Sequence, residues 1–408
     1  MQSEPTLEIG TARTTLAHIE KLVYGGDGLA RIDGQVVLVP FVLPGEEVSI
    51  ATARVKNGLL RGSVLNVPRP SAERIVPRCE YFGACGGCHY QHAAYAFQLE
   101  QKHQILLETL LRVGGIRHSG EIRILSGDPW FYRNRIQLHF SGGRSGFHQA
   151  GSHRLCAIDH CYIASPLLVE VIAAFSTAAT RREWPAFLRS LELFTNGSEI
   201  QLTVVDSTRP VAARFFDWCR TLIPSLTGDP IRYTAAGFEF RISRKSFFQV
   251  NRYLTDALVE EVVGNVNGDE AIDLYSGVGL FSLPLSRRFR SVTAIERGAS
   301  AFRDLEWNAA RSGTNVRIAK ASATEFLASL QQSPDLVVAD PPRAGLGPEV
   351  TAELLRILPG TLILVSCDPA TMARDLKKLL AAYRIERLTL IDLFPQTYHF
   401  ETVVHLER

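Results

Sequence analysis

The feature that most constrains this fold is an alternation of strand and helix patterns that runs from Ser246 to the end of the chain. Short apolar runs such as Ser291–Ile295 and Thr361–Val365 alternate with segments at helical spacing such as Tyr253–Val263. Strands that alternate with helices form mostly parallel sheets with helices on both faces. Residues 246–408 are therefore predicted to form a doubly wound, Rossmann-like α/β domain.

Two of the predicted strands end in residues suited to a nucleoside cofactor. The strand Glu270–Leu274 leads into Tyr275 and the glycine-rich run 276–279, and glycines there let a cofactor approach the backbone. The strand Ser291–Ile295 ends in Glu296, whose carboxylate can accept hydrogen bonds from both ribose hydroxyls. Dinucleotide dehydrogenases use a similar arrangement, so these two strand ends leave the cofactor open.

Two later strands bring a rigid loop and a thiol to the same edge of the sheet. The strand Asp335–Ala339 runs into Asp340-Pro-Pro-Arg343, where two prolines make a loop without backbone donors. The strand Thr361–Val365 is followed by Cys367, a candidate nucleophile whose alternative is a buried core thiol. The carboxyl edge of this sheet is therefore the predicted active site.

The N-terminal segment Ala17–Val67 consists of short β-branched runs separated by turn residues, including Gly25–Gly28 and Asp33–Gly34. This pattern predicts a small antiparallel barrel. It resembles the TRAM domain, an OB-like barrel of RNA-modifying enzymes, and such barrels hold single strands. An unspecialised small barrel is the alternative. Pro68–Pro70 is predicted to link the barrel to the next domain.

Three cysteines then follow on one glycine-rich loop, at Cys79, Cys85 and Cys88. Together with a fourth thiolate, either Cys156 or Cys161, they can hold an iron–sulfur cluster or a zinc ion. Seven cysteines in a chain without an export signal favour metal ligands, catalytic thiols or buried thiols over disulfides.

The middle of the chain is predicted to contain a helix and a hairpin. Apolar spacing predicts an amphipathic helix from Ala93 to Val113, and a helix within 93–116 can pack on the catalytic domain. Arg133 and Arg135 begin an alternating strand, and Gly142-Gly143 indicates a hairpin turn. These arginines either contact RNA phosphate or lie on a solvated strand face.

Charge and hydropathy limit the partners. A net charge of +2 is small, but residues 71–158 hold ten Arg or Lys against six Asp or Glu, and this excess can bind phosphates. A genome composition that favours Arg is the alternative explanation. No apolar run approaches the roughly 18–20 residues that span a bilayer, and the amino terminus is unlike a signal peptide. We expect a cytoplasmic monomer that does not bind membranes.

In chain order, the motifs SFFQVN, DLYSGVG, DPPRAGL, SCDPATMARDL and FPQTYHFE resemble those of the bacterial 5-methyluridine RNA methyltransferases. The resemblance covers nearly the whole chain. It implies that S-adenosylmethionine is the cofactor and that it contacts Gln249, Tyr275, Glu296 and Asp340. Arg343 stands where amino-group methyltransferases tend to carry an aromatic residue, which favours a carbon target.

The resemblance also implies a covalent mechanism. Cys367 is expected to add to carbon 6 of a uridine, which makes carbon 5 nucleophilic enough to take the methyl group. Glu401 is expected to remove the carbon 5 proton afterwards, with His399 as its rival. The family often has Gly where Tyr398 stands, so the loop presenting Glu401 is expected to differ in shape.

The same resemblance implies a four-iron four-sulfur (4Fe-4S) cluster on Cys79, Cys85, Cys88 and Cys161, with Cys156 as a bystander. The predicted domains are a TRAM barrel at 1–68, a central iron–sulfur domain at 69–245 and a methyltransferase domain at 246–408. Relatives that act on ribosomal RNA carry the barrel and cluster, whereas the bacterial tRNA T-loop enzyme lacks both. The expected substrate is therefore 23S ribosomal RNA, with the tRNA T-loop as the alternative.

Two other classes remain as hypotheses. A non-catalytic RNA-binding or redox-sensing protein would have no need of Cys367 and Glu401, both of which are present. A cytosine carbon 5 methyltransferase usually has cysteine directly after its Pro-Pro pair, where this chain has Arg343.

Overall fold

The computed structural model describes residues 13–54 and 59–408, which fall into two compact units. The N-terminal unit comprises Met1–Ile105, His148–His153 and Phe394–His399. The C-terminal unit comprises Leu106–Phe147, Arg154–Leu393 and Phe400–Arg408. No helix in the described part of the chain is both long and apolar enough to cross a bilayer.

The N-terminal unit contains a closed five-stranded barrel with the strand order β1-β2-β3-β5-β4. Its strands are β1 (Arg13–Leu22), β2 (Asp27–Ile32), β3 (Gln35–Pro40), β4 (Glu47–Arg54) and β5 (Leu60–Arg69). Small β-branched and aliphatic side chains fill its core, among them Ile19, Val37, Val39 and Ile50. The predicted barrel is confirmed, although β3 and β5 pair in parallel where an antiparallel barrel was expected.

The rest of the N-terminal unit fixes the segment Phe394–His399. The buried side chain of Gln98 donates to the Gln396 side chain at 3.0 Å, and the amide of Gln396 donates back to Gln98 at 3.1 Å. The backbone amides of His89 and Tyr90 both donate to the Gln396 carbonyl. Gln98 lies on α1 (Tyr95–Thr109).

The helix predicted to reach Val113 is α-helical only as far as Thr109. After Thr109 the chain forms a π-helical turn, Leu110–Gly114, and Gly115 closes it with a φ of +68°. In the C-terminal unit, a Cβ added to Gly114 would lie 2.9 Å from the carbonyl oxygen of Ala373, so this turn packs closely on the helix that contains Ala373.

The strands that follow the barrel form three sheets. They are β6 (Ile122–Leu125), β7 (Arg135–Ser141), β8 (Arg144–His148), β9 (Leu155–Ala157), β10 (Leu188–Thr195), β11 (Ile200–Ser207), β12 (Ile231–Ala235), β13 (Phe238–Ile242), β14 (Gly268–Leu274), β15 (Phe289–Ile295), β16 (Val316–Ala319), β17 (Leu336–Ala339), β18 (Thr361–Ser366), β19 (Arg384–Ile391) and β20 (Glu401–Glu407).

The largest sheet has the order β16-β15-β14-β17-β18-β20-β19-β6. Strands β14 to β18 are parallel, and β20 runs antiparallel between β18 and β19. The accompanying helices are α4 (Thr255–Val263), α5 (Ser282–Leu285), α6 (Ala299–Arg311), α7 (Ala323–Ser329), α8 (Gly347–Ile357) and α9 (Pro369–Leu379). This architecture confirms the predicted α/β fold of this part of the chain.

The other two sheets are a five-stranded sheet, β11-β10-β7-β8-β9, and the ribbon β12-β13. Helices α2 (Pro166–Ala179) and α3 (Ala213–Leu222) follow in the same part of the chain. Gly142 and Gly143 turn the hairpin between β7 and β8 with φ angles of +57° and +72°, as expected for such a turn.

Arg135, the first residue of β7, does not lie on a solvated strand face, which was one of the two expectations for it. Its guanidinium pairs with Glu192 at 2.9 Å, donates to the Ser246 carbonyl and lies 4.4 Å from the Phe194 ring centre. Its side chain is only 12% exposed. Arg133 donates to the carbonyl of Arg135. These side chains brace the sheet because β10 brings Glu192 and Phe194 beside β7.

Candidate active site

The glycine-rich loop after β14 forms the first wall of the site. Tyr275 adopts a φ of +61°, and Gly279 has a φ of +95°. A Cβ on Gly279 would lie 2.8 Å from Leu305, so only glycine fits this close approach. The Ser276 hydroxyl donates to the Asp273 carbonyl at 2.6 Å, which holds the turn in place.

The carboxylate of Glu296 is fixed beside this loop at the end of β15. The amide of Gly277 donates to one of its oxygens at 2.9 Å, and the amide of Gly298 donates to the other. A carboxylate offers about four acceptor positions, so two remain for outside donors. The side chain is half-buried, and its chemistry fits the hydroxyls of a cofactor ribose.

Helix α6 braces the loops around this edge through two buried side chains that the sequence did not single out. Asn308 donates to the carbonyl of Val278 at 2.9 Å and accepts from the amide of Arg241 at 2.7 Å. Asp304 accepts from the hydroxyls of Ser243 and Ser246, each at 2.7 Å. These contacts tie the glycine-rich loop to the segment that carries Gln249.

Gln249 lies in the connection between β13 and α4, and its side chain is 6% exposed. Its carbonyl accepts a hydrogen bond from the Asn134 side chain at 3.1 Å. The connection is therefore held from both sides, by α6 and by Asn134 at the start of the five-stranded sheet.

Cys367 lies between β18 and α9. Asp368 caps the helix, since its Oδ1 accepts from the amides of Ala370 and Thr371 at 3.0 Å each. Pro369 occupies the first turn, where its missing N–H costs nothing. Cys367 is thereby held at a helix N-terminus and is half-buried.

The strand register brings Glu401 opposite Cys367. Ser366 of β18 pairs with Thr402 of the antiparallel β20, so the next residues along, Cys367 and Glu401, face each other. Directly opposed side chains in such a pair have Cβ atoms about 4.5–5.5 Å apart. Asp340 follows β17, the other neighbour of β18. Three of the predicted site residues therefore meet at one sheet edge.

The two carboxyl groups of this cluster hold protons more tightly than usual. Burial raises the pKa of Asp340 to about 7. Burial, and then the neighbouring charge of Asp340, raise the pKa of Glu401 well above its ordinary value, while the Arg343 guanidinium acts in the opposite direction. Glu401 is 5% exposed. Such pairs of shifted carboxyl groups are typical of sites that transfer protons.

The Cys367 thiol is also held in its neutral form. Burial raises its pKa to about 11, and the charges of Glu401 and Asp340 add to this. The charge and hydrogen bond of Arg343 lower it. Arg343 is thus the cation that favours the thiolate. From the sequence, this residue served only as a mark against amino-group and cytosine carbon 5 methyltransferases.

Asp273 is a buried site group that the sequence did not single out. Its side chain is fully buried, Ser282 donates to one of its oxygens, and the other oxygen has no partner among the described residues. Burial raises its pKa to about 7, against the hydrogen bond from Ser282. Its place before Tyr275 in the glycine-rich motif is the signal that could have identified it.

The cysteine loop of the N-terminal unit has some features of a cluster site. The amide of Gly87 donates to the sulfur of Cys85 at 3.4 Å, and Cys79, Cys85 and Cys88 are all half-buried. Thiolates that accept backbone hydrogen bonds suit iron–sulfur chemistry. Across residues 13–54 and 59–408, however, no group of three or more His, Cys, Asp or Glu side chains is arranged to hold a metal ion.

The two candidates for a fourth ligand both belong to the C-terminal unit. Cys156 lies in β9, is 8% exposed, and has a pKa raised by burial. Cys161 is half-buried, and its carbonyl accepts from the amide of Ala164. The assignment of Cys161 stays a prediction.

His399, the rival to Glu401, belongs to the N-terminal unit. There its ring packs on Tyr398, with ring centres 4.0 Å apart, and lies near Phe394. Tyr398, where the family often has Gly, also contacts the rings of Tyr24 and His89. The aromatic residue thus helps to fix the segment that precedes Glu401.

Comparison with known proteins agrees with this geometry. A family model described as tRNA (Uracil-5-)-methyltransferase matches residues 229–408, and a TRAM domain model matches residues 12–65. RNA methyltransferases of Thermotoga maritima and Aquifex aeolicus are 32% and 33% identical, each over 95% of this chain and 98% and 97% of their own length.

A solved structure extends the likeness to the fold. The tRNA (uracil-54, C5)-methyltransferase of Pyrococcus abyssi, in complex with S-adenosyl-L-homocysteine, is 27% identical, with a TM-score of 0.77 over 96% of this chain and 99% of that one. This chain belongs to the RNA (uracil-5-)-methyltransferase family with a TRAM domain and is an S-adenosylmethionine-dependent RNA uracil-5 methyltransferase.

Proposed function

We propose that the enzyme methylates a uridine of 23S ribosomal RNA through a covalent adduct between Cys367 and carbon 6 of the base. The observation that supports the mechanism is the register that brings Cys367 and Glu401 together at the end of the β18–β20 pair, with Asp340 directly after the adjacent strand β17. S-adenosylmethionine supplies the methyl group. Every other step is assigned to side chains of this chain.

Cys367 acts as the nucleophile in this proposal. Its sulfur forms a bond to carbon 6, and the electron pair of the 5,6 double bond moves toward carbon 5, which then takes the methyl group. Because the pKa of the thiol is about 11, the thiolate is scarce at neutral pH, and Arg343 is the group that favours it. A cation beside the thiol is a known way to activate it.

Glu401 acts as the base that completes the reaction. It removes the proton from carbon 5, the double bond reforms, and the sulfur of Cys367 leaves carbon 6. A base must be ionised at this point, so the raised pKa of Glu401 has to be offset in the loaded enzyme. Arg343 already acts in that direction.

The cofactor contacts are proposed for Gln249, Tyr275, Glu296 and Asp340. The support for Glu296 is strongest, because two backbone amides orient its carboxylate while leaving acceptor positions open. Tyr275 and Gln249 belong to the two loops that Asn308 and Asp304 brace.

The choice of 23S ribosomal RNA rests on the barrel and the cysteine loop, which the resemblance associates with ribosomal substrates. The T-loop of tRNA is a second candidate, because the Pyrococcus abyssi enzyme that matches nearly the whole chain acts on uracil 54 of tRNA. The three domains at 1–68, 69–245 and 246–408 are part of the same proposal.

The RNA target can be tested with the purified enzyme and with cells. Separate 23S ribosomal RNA and tRNA fractions from a strain lacking the gene are incubated with enzyme and S-adenosylmethionine, and 5-methyluridine is located by mass spectrometry. We expect one or more new 5-methyluridines in the 23S fraction. Methylation only in the tRNA fraction would contradict a ribosomal substrate and favour the tRNA T-loop.

A four-iron four-sulfur cluster on Cys79, Cys85, Cys88 and Cys161 is proposed as a structural or redox-sensing group. Protein purified without oxygen should be brown and contain about four irons per chain. Cys161→Ser should lose this iron, whereas the matched control Cys156→Ser should keep it. Zinc without iron would contradict the cluster, and the reverse pattern in the two variants would exchange the ligand assignment.

A further inference from the structure

A polar cavity in the C-terminal unit has no part in the mechanism above. It encloses about 390 Å³ beside the N-terminus of α2, the turn between β10 and β11, and strand β12. This volume is within the range of roughly 300–1,000 Å³ typical of small-molecule pockets. Cys367, Glu401 and the proposed cofactor contacts do not line it.

Two buried oxygens among the lining residues lack hydrogen-bond partners. Asn134 and Ser165 are each 1% exposed, and neither Asn134 Oδ1 nor Ser165 Oγ has a partner in the described part of the chain. The orientation of the Asn134 amide is set, because its nitrogen donates to the Gln249 carbonyl at 3.1 Å. Its oxygen therefore requires a donor, and buried polar atoms without a partner are rare in folded proteins.

Ser165 is unusual for a second reason. It occupies the N-cap of α2 with Pro166 after it, but its side chain makes no capping hydrogen bond. A serine in this position ordinarily accepts from an amide of the first turn. The Ser165 hydroxyl therefore remains available to a ligand at a helix end that favours negative charge.

The rim of the cavity is cationic. Arg232 and Arg252 line it, and among the described residues no carboxylate side chain does. Arg232 pairs with Glu239 at 2.9 Å, and the Arg252 guanidinium lies 4.8 Å from the ring centre of Tyr253. A ligand that fits must offer an N–H donor to the interior and negative charge to the rim.

A nucleotide has both properties. The edge of an unstacked base presents N–H donors and acceptors to amide and hydroxyl groups, and its phosphate pairs with arginine. The segment that carries the proposed cofactor contact Gln249 also carries Arg252 and Phe247, whose ring is 63% exposed. The cavity and the proposed cofactor contact Gln249 are thus joined by one short segment of chain.

We propose that this cavity binds one unstacked nucleotide of the substrate RNA, distinct from the uridine that is methylated. The Asn134 oxygen accepts from a base N–H, Ser165 bonds the same base edge, and Arg252 contacts the phosphate. This inference rests on the proposed function, because it requires an RNA substrate beside Gln249.

The test compares two variants with two matched controls. Ser165→Ala removes a hydroxyl that has no hydrogen-bond partner within residues 13–54 and 59–408, and Arg252→Gln removes a rim cation. Ser145→Ala is the first control, because Ser145 is another buried serine whose hydroxyl has no partner among the described residues. Arg287→Gln is the second control. Like Arg252, Arg287 is an exposed arginine whose guanidinium lies over an aromatic ring, in this case Phe238, but it does not line the cavity.

Affinity is measured by fluorescence anisotropy with a labelled transcript of the methylated region, at several salt concentrations. We expect Ser165→Ala to weaken binding roughly three- to tenfold without lowering the thermal midpoint. Arg252→Gln should weaken binding and reduce the salt slope by about one. Both controls should bind like the wild type. Equal affinity for all five proteins would overturn the proposal.

A competition arm separates a nucleotide site from a phosphate site. The four nucleoside 5′-monophosphates are each tested as competitors. At least one of them should displace the labelled RNA better than inorganic phosphate does, and Ser165→Ala should remove that preference. Equal competition by phosphate would overturn base recognition. Methyl transfer by the wild type is assayed in parallel. No methyl transfer would contradict the proposed function, whereas methyl transfer together with wild-type affinities in the variants would contradict only the proposal that the cavity binds a nucleotide.

Discussion

The alkylation of Cys367 should depend on pH in a way that follows from its surroundings. With a pKa of about 11, the thiol is about 0.1% ionised at pH 8, since three pH units are a factor of a thousand. An unperturbed thiol with a pKa of about 8.5 is roughly one quarter ionised at that pH. The thiolate population of Cys367 at pH 8 is therefore about two hundred times smaller than that of an ordinary thiol, and its alkylation by iodoacetamide should be slower.

The neighbouring charges predict opposite shifts in two variants. The charge of Glu401 raises the pKa of Cys367, so Glu401→Gln should lower it and speed alkylation at a given pH. Arg343 lowers that pKa, so Arg343→Gln should raise it and slow alkylation. In the wild type the rate should rise about tenfold per pH unit up to pH 10.

The assay is alkylation of ligand-free enzyme from pH 7 to 11, followed by mass spectrometry of the peptide that contains Cys367. Urea-unfolded protein gives the reference rate for the same peptide. A midpoint near 8.5 in the folded enzyme would refute the account of the thiol, as would shifts of the same sign in Glu401→Gln and Arg343→Gln.

Three further predictions concern stability and cofactor binding. The pKa of Asp273 is raised to about 7, so the folded state binds its proton more tightly and the free energy of unfolding should fall as pH rises from about 4 to 7. In Asp273→Asn the urea midpoint should depend less on pH over that window, and an unchanged pH dependence would contradict the raised pKa. Arg135→Gln leaves Glu192 without its partner and should lower the free energy of unfolding in urea by about 2–4 kcal/mol. A loss of less than about 1 kcal/mol would contradict this prediction. Glu296→Gln should weaken S-adenosylmethionine binding at least tenfold in equilibrium dialysis, because hydrogen bonds to charged groups contribute about 1.5–3 kcal/mol, and unaltered affinity would remove Glu296 from the site.

The strand ends of the catalytic sheet could be predicted from the sequence because each is a local pattern. An apolar run followed by Gly277, Glu296, Asp340 or Cys367 needs no knowledge of distant residues. Parallel strands then bring those ends to one edge. The closed barrel was predictable for the same reason, since its turns are marked by glycine and aspartate.

The pairing of Cys367 with Glu401 was not predictable in the same way. It depends on β20 inserting antiparallel between β18 and β19, with Ser366 opposite Thr402. Register between strands that lie far apart in sequence is a tertiary property, which no local pattern specifies. The resemblance named both residues, and the register supplies a physical reason for their pairing.

Other features that the sequence did not reveal have the same origin. β6 is a four-residue strand from the segment predicted for the central domain, and it pairs with β19 in the catalytic sheet. Arg135 looked like a phosphate contact because its partner Glu192 lies on a strand that the sequence pattern did not align with it. Asp304 and Asn308 lie on an amphipathic helix, where buried polar side chains are not distinguished by spacing.

The central claim is that Cys367 forms a covalent bond to the RNA and that Glu401 is needed to release it. Glu401→Gln and Cys367→Ala are each incubated with methylatable RNA and S-adenosylmethionine and analysed on denaturing gels. Glu401→Gln should give a slow band of RNA joined through Cys367, because the carbon 5 proton cannot be removed. Cys367→Ala should give none. Methylation by Cys367→Ala, or free turnover by Glu401→Gln without an adduct, would contradict the account.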